Sequence, residues 1–571
     1  MMVVLSVLLG VAVYSWSRYL FGLWGGLISL VLYVFSPTML AHGPLITSDV
    51  TMAAAMMVSL GCFWIVMHRV NTWTQVASGV ALGLLLLSKM SAVIMLPLAV
   101  ALLVLREWCG SPLYVDSRTD PAVKTFDDRL RVWGVVTAYH LLIVLLVVWS
   151  FYGFRSKTFK HNHSGRDAMN PAYAIRGMDE EGFMGAAVVL AASTGAVPEP
   201  YLQGFSKIVR RTKFRRAFLN GQHSNSGWRL FFPYCLLVKT PCSTLLSVLA
   251  AAGILVWQFC RRGPHDRKLT HRNGSAMGRE AVWRILYHGA PLWIFFVVYW
   301  GMAIMSNMNI GHRHLMPTYP VLYVFAGAIG HWLRPSRWYV SVPVLMLSFW
   351  LIATSVFAWP NYLAYFNQFA GGSSAGYRHL VDSSLDWGQD LPGLRSWLEQ
   401  ERFQQDGKDS PSPVYVSYFG TGDLNYYGIS AQQLPSYAIW PDEQRQYRPL
   451  TGGIYCISAT MLQSIYLDPF GPWCEPYEEE YQRLLKRVPE FELWQDMKNP
   501  LDQSDEAAEY RNTLKTFLEL RFSRLCAFLR QREADDHVGY SILIYRLSDE
   551  EVAQALAGAP AELEEMVTRK R

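Results

Sequence analysis

Acidic residues are scarce where this 571-residue chain begins: Asp49 is the only carboxylate before Glu107. A water-facing surface intersperses charges of both signs, so that stretch is not the surface of a soluble domain. Charged residues are 17% of the whole and hydrophobic ones 51%. Other absences narrow the class. No apolar run after about Pro360 is long enough to cross a bilayer, so the spanning part ends there. His161, His163 and His223 match no metal-ligand spacing and read as surface histidines. The hydropathy shows no internal repeat, which counts against a lipid or solute transporter. Met1-Met2 opens directly into an apolar run without a basic leader, so it is not an ordinary signal peptide.

Two halves of opposite charge remain. Residues 1–359 carry 31 Lys+Arg against 13 Asp+Glu, and residues 360–571 carry 20 against 32. That sets a +18 membrane half (31 − 13) beside a −12 soluble half (20 − 32). The expected fold is a polytopic α-helical membrane protein of about ten transmembrane helices with a C-terminal extracytoplasmic α/β domain at 360–571. Spans are expected at Met2–Tyr19, Gly25–Leu40, Val50–Met67, Val76–Leu87, Ser91–Leu105, Trp133–Tyr152, Phe231–Phe259, Ile285–Met305, Leu315–Trp332 and Trp338–Phe357. Ser88-Lys89 and Pro97 favour two short helices over one long one in 76–105.

The loops Arg106–Arg131 and Arg261–Arg279 hold five and six Lys/Arg, so both are expected in the cytoplasm. The external loop 153–230 and everything after Pro360 then lie outside. The same parity puts Met1 outside, so a preceding helix and loop are expected to be missing from this chain.

Charges set in apolar sequence are the candidate site. Gly311-His312-Arg313-His314 forms a basic knot between apolar runs, and such a cluster is costly against a bilayer unless it faces protein, water or a head group. We read it as a phosphate holder, because the planar Arg fork can grip two phosphate oxygens. Lys89 in LLLLSKMSAVIML and Lys239 before Thr240-Pro241 stand behind it, against the simpler readings of a snorkelling side chain and a charge stranded at a Pro-broken helix. Asp49 either caps a helix or binds a ligand. In the soluble half, Asp382, Asp386 and Asp390 in VDSSLDWGQD read as sugar or cation contacts, or as ordinary acidity before a helix near Leu391–Glu401. Strand-like runs follow at Val414–Phe419, Ile454–Ser458 and Tyr540–Tyr545. Cys456 and Cys474 lie on the oxidising side, where a disulfide between them is open.

The motifs SPTMLAHGPLITSDV, LLLSKMSAV, NGQHSNSGWRLFFPYCLLVKTP, NIGHRHLMPTYP and YLAYFNQFAGGSSAGYRHLVDSSLDWGQDL, with VYVSYFGTGDLNYYGI, GGIYCISAT and HVGYSILIYRL, run through nearly the whole chain. Together they resemble the bacterial phospholipid-carrier-dependent glycosyltransferases of family 39, relatives of the protein O-mannosyltransferases. The resemblance implies an enzyme of a bacterial cytoplasmic (inner) membrane. It would take a sugar from a polyprenyl-phosphate donor and pass it, with inversion, to a protein, glycan or lipid acceptor on the outer face. The expected partners are that donor, membrane lipid and the acceptor, not nucleic acid; no cofactor is required and a divalent cation is left open. Arg313, His312, His314, Lys89 and Lys239 would hold the donor phosphate, and Asp49 is the one matched carboxylate for catalysis. Such enzymes draw their base from an acidic pair in the first external loop, which this chain lacks, so weak transfer is expected. A catalytically inactive scaffold or carbohydrate-binding receptor is the alternative.

Overall fold

A computed structural model describes residues 1–115, 123, 125–156, 178, 182–211, 215–260, 279–333, 338–404, 412–437, 446–497 and 505–567. His161, His163 and most of the basic loop 261–279 lie outside these residues. The chain forms two compact units. The first is Met1–Lys213, Thr240–Ser306 and Arg313–Trp359; the second is Phe214–Lys239, Asn307–His312 and Pro360–Arg571. Segments 214–239 and 307–312 therefore group with the C-terminal part, although they precede Pro360.

The first unit is helical. Met2–Val34 is apolar on every side and breaks at Gly22, where φ is +77°. That left-handed region favours a residue without Cβ. Beyond it the chain returns on itself: the Tyr33 hydroxyl donates to the Ser6 carbonyl at 2.6 Å and Ser29 Oγ to Ser17 Oγ at 2.7 Å. A straight helix rising about 1.5 Å per residue would hold Ser6 and Tyr33 about 40 Å apart. The spans expected at Met2–Tyr19 and Gly25–Leu40 are thus two legs of one broken element. Ser48–His68 follows, then Thr72–Ser88, which is opened by a reciprocal cap between Asn71 and Thr74. Thr72–Ser88 packs against Ser48–His68 and against Phe126–Phe151.

Among the described residues six helices, or seven if the bent pair Val282–His288 and Ala290–Met305 is one span, are long and apolar enough to cross a membrane. About ten were expected from sequence, and this count, which takes Met2–Val34 as one helix, reaches six or seven. Backbone breaks shorten several of the expected runs. Thr72–Ser88 stops after 17 residues at the extended Lys89. The run Phe231–Phe259 divides at Pro241 into Phe231–Lys239 and Cys242–Cys260. Leu315–Trp332 folds as 3-10 turns around the eight-residue helix Tyr319–Ala326, with Pro317 and Pro320 removing two backbone donors.

The second unit holds a five-stranded sheet. Its strands are β1 (Val414–Ser417), β2 (Gln432–Gln433), β3 (Gly453–Ser458), β4 (Asp536–Val538) and β5 (Ile542–Leu547), in the order β2-β1-β3-β5-β4. β1 runs parallel to β2 and β3, whereas β5 is antiparallel to β3 and β4. Helix Leu391–Gln404 packs Leu391, Leu394 and Leu398 with Val416, Cys456 and Ile544 of the sheet. A second cluster joins Trp473, Tyr481, Phe491 and Phe517. Cys456 belongs to the first cluster, while Cys474 stands beside Trp473 at the start of helix Glu475–Leu485; both thiols are free. The disulfide left open by the sequence is therefore absent, because the two side chains are buried in different places.

Candidate functional site

The candidate residues divide between the two units, and the boundary falls inside the basic knot: His312 belongs to the second unit and Arg313 to the first. In the first unit three charges from separate segments converge. Asp49 is the second residue of Ser48–His68, and the N-cap is Thr47, whose side chain makes no capping bond. Asp49 is therefore not the cap that sequence allowed. Its side chain is 3% exposed, and its carboxylate accepts from Lys89 Nζ at 2.6 Å, 40 residues along the chain.

Lys89 reaches it because the backbone there is extended, with φ −161° and ψ 137°, between Thr72–Ser88 and the 3-10 turn Met90–Ile94. The break turns a lysine that would lie among leucines toward a carboxylate. The other Asp49 oxygen lies 3.9 Å from the Arg313 guanidinium. At that length the contact is charge attraction rather than a hydrogen bond, so the Arg fork is not clamped on Asp49. The Tyr299 hydroxyl donates to the His314 carbonyl at 2.5 Å and so fixes the backbone beside Arg313. Sequence reasoning missed Tyr299; the available signal was a phenol within an apolar helix, whose hydroxyl must find a partner.

Lys239 and His312 sit differently. In the second unit the buried Lys239 ammonium donates to the carbonyls of Leu363 at 2.8 Å and Ser384 at 2.7 Å, and lies 4.1 Å from the centre of the Phe366 ring. This is a neutral cradle that ties two backbone segments together. The phosphate role expected for Lys239 has no support in it. The His312 amide donates to Ser384 Oγ at 3.0 Å. At Gly311 a Cβ would come within 2.2 Å of Ser383 Oγ, so a side chain there would displace that hydroxyl from its bond to the Ile310 carbonyl.

The Asp382–Ser384 turn and the residues after it place the three aspartates after Pro360 in separate surroundings. Asp382 accepts from the Tyr466 hydroxyl and from the Ser383 amide. Asp390 stands at the start of Leu391–Gln404, where its carbonyl receives the Leu394 amide, and its carboxylate accepts from Ser541 Oγ at 2.5 Å and Gln389 Nε2 at 2.9 Å. The expectation of acidity before a helix fits Asp390. Asp386 is 1% exposed, and one of its oxygens accepts from the Gly388 amide at 2.8 Å. Burial, reinforced by the charges of Asp390 and Asp382, pushes its carboxyl well above the usual range. An acid held toward its neutral form is a poor cation ligand. Among the described residues no three His, Cys, Asp or Glu side chains converge as a metal site.

Residues 1–115 match the family model for dolichyl-phosphate-mannose-protein mannosyltransferase. That stretch carries Asp49 and Lys89 and stops short of Arg313. No curated protein and no solved structure matches the chain. With helices long and apolar enough to cross a bilayer, the chain is an integral membrane protein whose first 115 residues are similar to that mannosyltransferase family model.

Proposed function

We propose that the protein is an inverting glycosyltransferase of a bacterial cytoplasmic membrane, moving a sugar from a polyprenyl-phosphate-linked donor to an acceptor hydroxyl on the extracytoplasmic face. The observation that carries this reading is the convergence of Asp49, Lys89 and Arg313 in the first unit. As the bond from the anomeric carbon to the donor phosphate breaks, negative charge develops on the phosphate oxygens. Cations already in place stabilise it without reorganising. Lys89 supplies a point charge and Arg313 a fork that holds two oxygens. The acceptor oxygen attacks from the opposite face, which inverts the centre, and its hydroxyl proton is released to water as the lipid phosphate departs. Asp49 faces Lys89 and Arg313 with its two oxygens, so we assign it to positioning those cations before the donor arrives and not to taking the acceptor proton.

The test is donor affinity and transfer in reconstituted protein with a polyprenyl-phosphate hexose. Arg313→Ala is expected to weaken donor binding about 10- to 100-fold, equivalent to about 1.4–2.8 kcal/mol. Arg313→Lys keeps the charge and loses the fork, so it should fall between. Donor affinity unchanged in both variants would overturn the assignment.

A further inference from the structure

A cleft of about 370 Å³ in the second unit opens at the carboxyl ends of the parallel strands β1 and β2, lined by residues of 418–436 and by Gln446 and Arg448. Open parallel sheets commonly take ligands at that edge. The cleft is pre-formed. Leu424 and Ile429 are buried and pack with Tyr418 in the same cluster as β1 and β3. The Tyr418 amide donates to Ser436 Oγ at 3.0 Å and its hydroxyl to the Gly388 carbonyl at 2.5 Å, which fixes the wall.

The lining chemistry is specific. Asn425, Gln432, Gln433 and Gln446 present carboxamides, and the charged lining residues are one of each sign, Asp423 and Arg448. The side-chain amides of Asn425 and Gln432 make no hydrogen bond within the described residues. Each carboxamide both donates and accepts, as a sugar hydroxyl does. An anion would call for an excess of cations, a metal for converging carboxylates, and a lipid for apolar walls. We propose that this cleft is a binding site for a neutral saccharide, separate from the donor site. The inference does not rest on the transferase reading, and a failed transfer assay would leave it standing.

Isothermal titration of the full chain in lipid nanodiscs with mannobiose and with maltose tests it. At least one disaccharide is expected to bind in the millimolar range or tighter. Asn425→Ala and Gln432→Ala should each weaken binding about three- to tenfold, the loss of about one hydrogen bond. Neither side chain belongs to the buried core, and an unchanged unfolding transition would show that the variants fold. The Arg313→Ala protein, impaired in donor binding, should still take the disaccharide. No binding by either sugar, binding indifferent to both cleft variants, binding lost with Arg313→Ala, or displacement of the sugar by inorganic phosphate would each overturn the proposal.

Discussion

Lys89 and Lys239 each follow a leucine-rich run and each sit where a helix ends, yet they solve the burial of a cation in opposite ways. Lys89, in the first unit, meets a carboxylate and keeps 17% of its side chain exposed. Lys239, in the second, is 1% exposed and meets two carbonyls and a ring face. A carboxylate neutralises charge, and an arriving phosphate can take over that work. Carbonyl dipoles only solvate the charge, and they are themselves left unsatisfied if the ammonium withdraws. A lysine in apolar sequence is thus no sign of a ligand site by itself; the kind of partner it finds decides whether it is part of a site or part of the scaffold.

The comparison breaks most visibly at Lys239. Lys239→Ala leaves the Leu363 and Ser384 carbonyls buried without their donor. Each such group costs about 1–3 kcal/mol, so chemical denaturation should show the second unit losing several kcal/mol. Wild-type stability in Lys239→Ala would mean that the ammonium is not structural, and the contrast with Lys89 would fail.

Much of this was legible in the sequence, and the limits have physical causes. The β-strands were readable because β-branched and aromatic runs stand between polar turns: Ile454–Ser458 was expected and Gly453–Ser458 is observed. The Lys89 break was readable from Ser88-Lys89 within an apolar run. The break at Gly22 fell between two expected spans, but hydropathy does not register where prolines convert helix into 3-10 turns, as in His312–Thr318. Asp49 and Lys89 were both flagged, but their pairing depends on tertiary packing that neither residue's neighbours encode. The partners of Lys239 were hidden for the same reason: they are main-chain carbonyls, and main-chain atoms leave no signature in residue identity. The polar cleft beside β1 and β2 escaped notice because Asn and Gln in a loop read as ordinary turn chemistry.

A middle-sized effect is expected at Asp49. Asp49→Asn removes the counter-charge of Lys89 and Arg313. Because these side chains are 17% and 22% exposed, solvent screens part of the loss, which we place at about 1–2 kcal/mol. Polyprenyl phosphate without sugar should compensate. An anion that binds the folded state more strongly raises its stability more, so the ligand-induced rise in Tm should be larger in Asp49→Asn than in the wild type. An equal rise would show that Asp49 and the phosphate do not share the same cations, and would return Asp49 to a purely structural role.

The smallest effect sharpens the rule from the acidic side. Asp386 is buried like Asp49, but the charges facing it are Asp390 and Asp382 instead of cations, and its hydrogen bond comes from the Gly388 amide. Burial comes first in raising its carboxyl well above the ordinary value, and the two acids add to it. The sign follows from proton counting. A carboxyl of about 3.9 in the unfolded chain that is raised in the folded one binds its proton more tightly in the fold. Its contribution is therefore complete below about pH 4 and declines as pH climbs toward the folded value. The decline is at most about 1.4 kcal/mol per pH unit. Asp386→Asn keeps an acceptor for the Gly388 amide and has no proton to lose. Its unfolding free energy, measured by denaturant titration from pH 4 to pH 7, should match the wild type at the acid end and exceed it by about 1 kcal/mol or more at neutral pH. A wild-type minus Asn difference that does not vary with pH would mean that Asp386 is ionised in the fold, and that a cation partner for it has been overlooked.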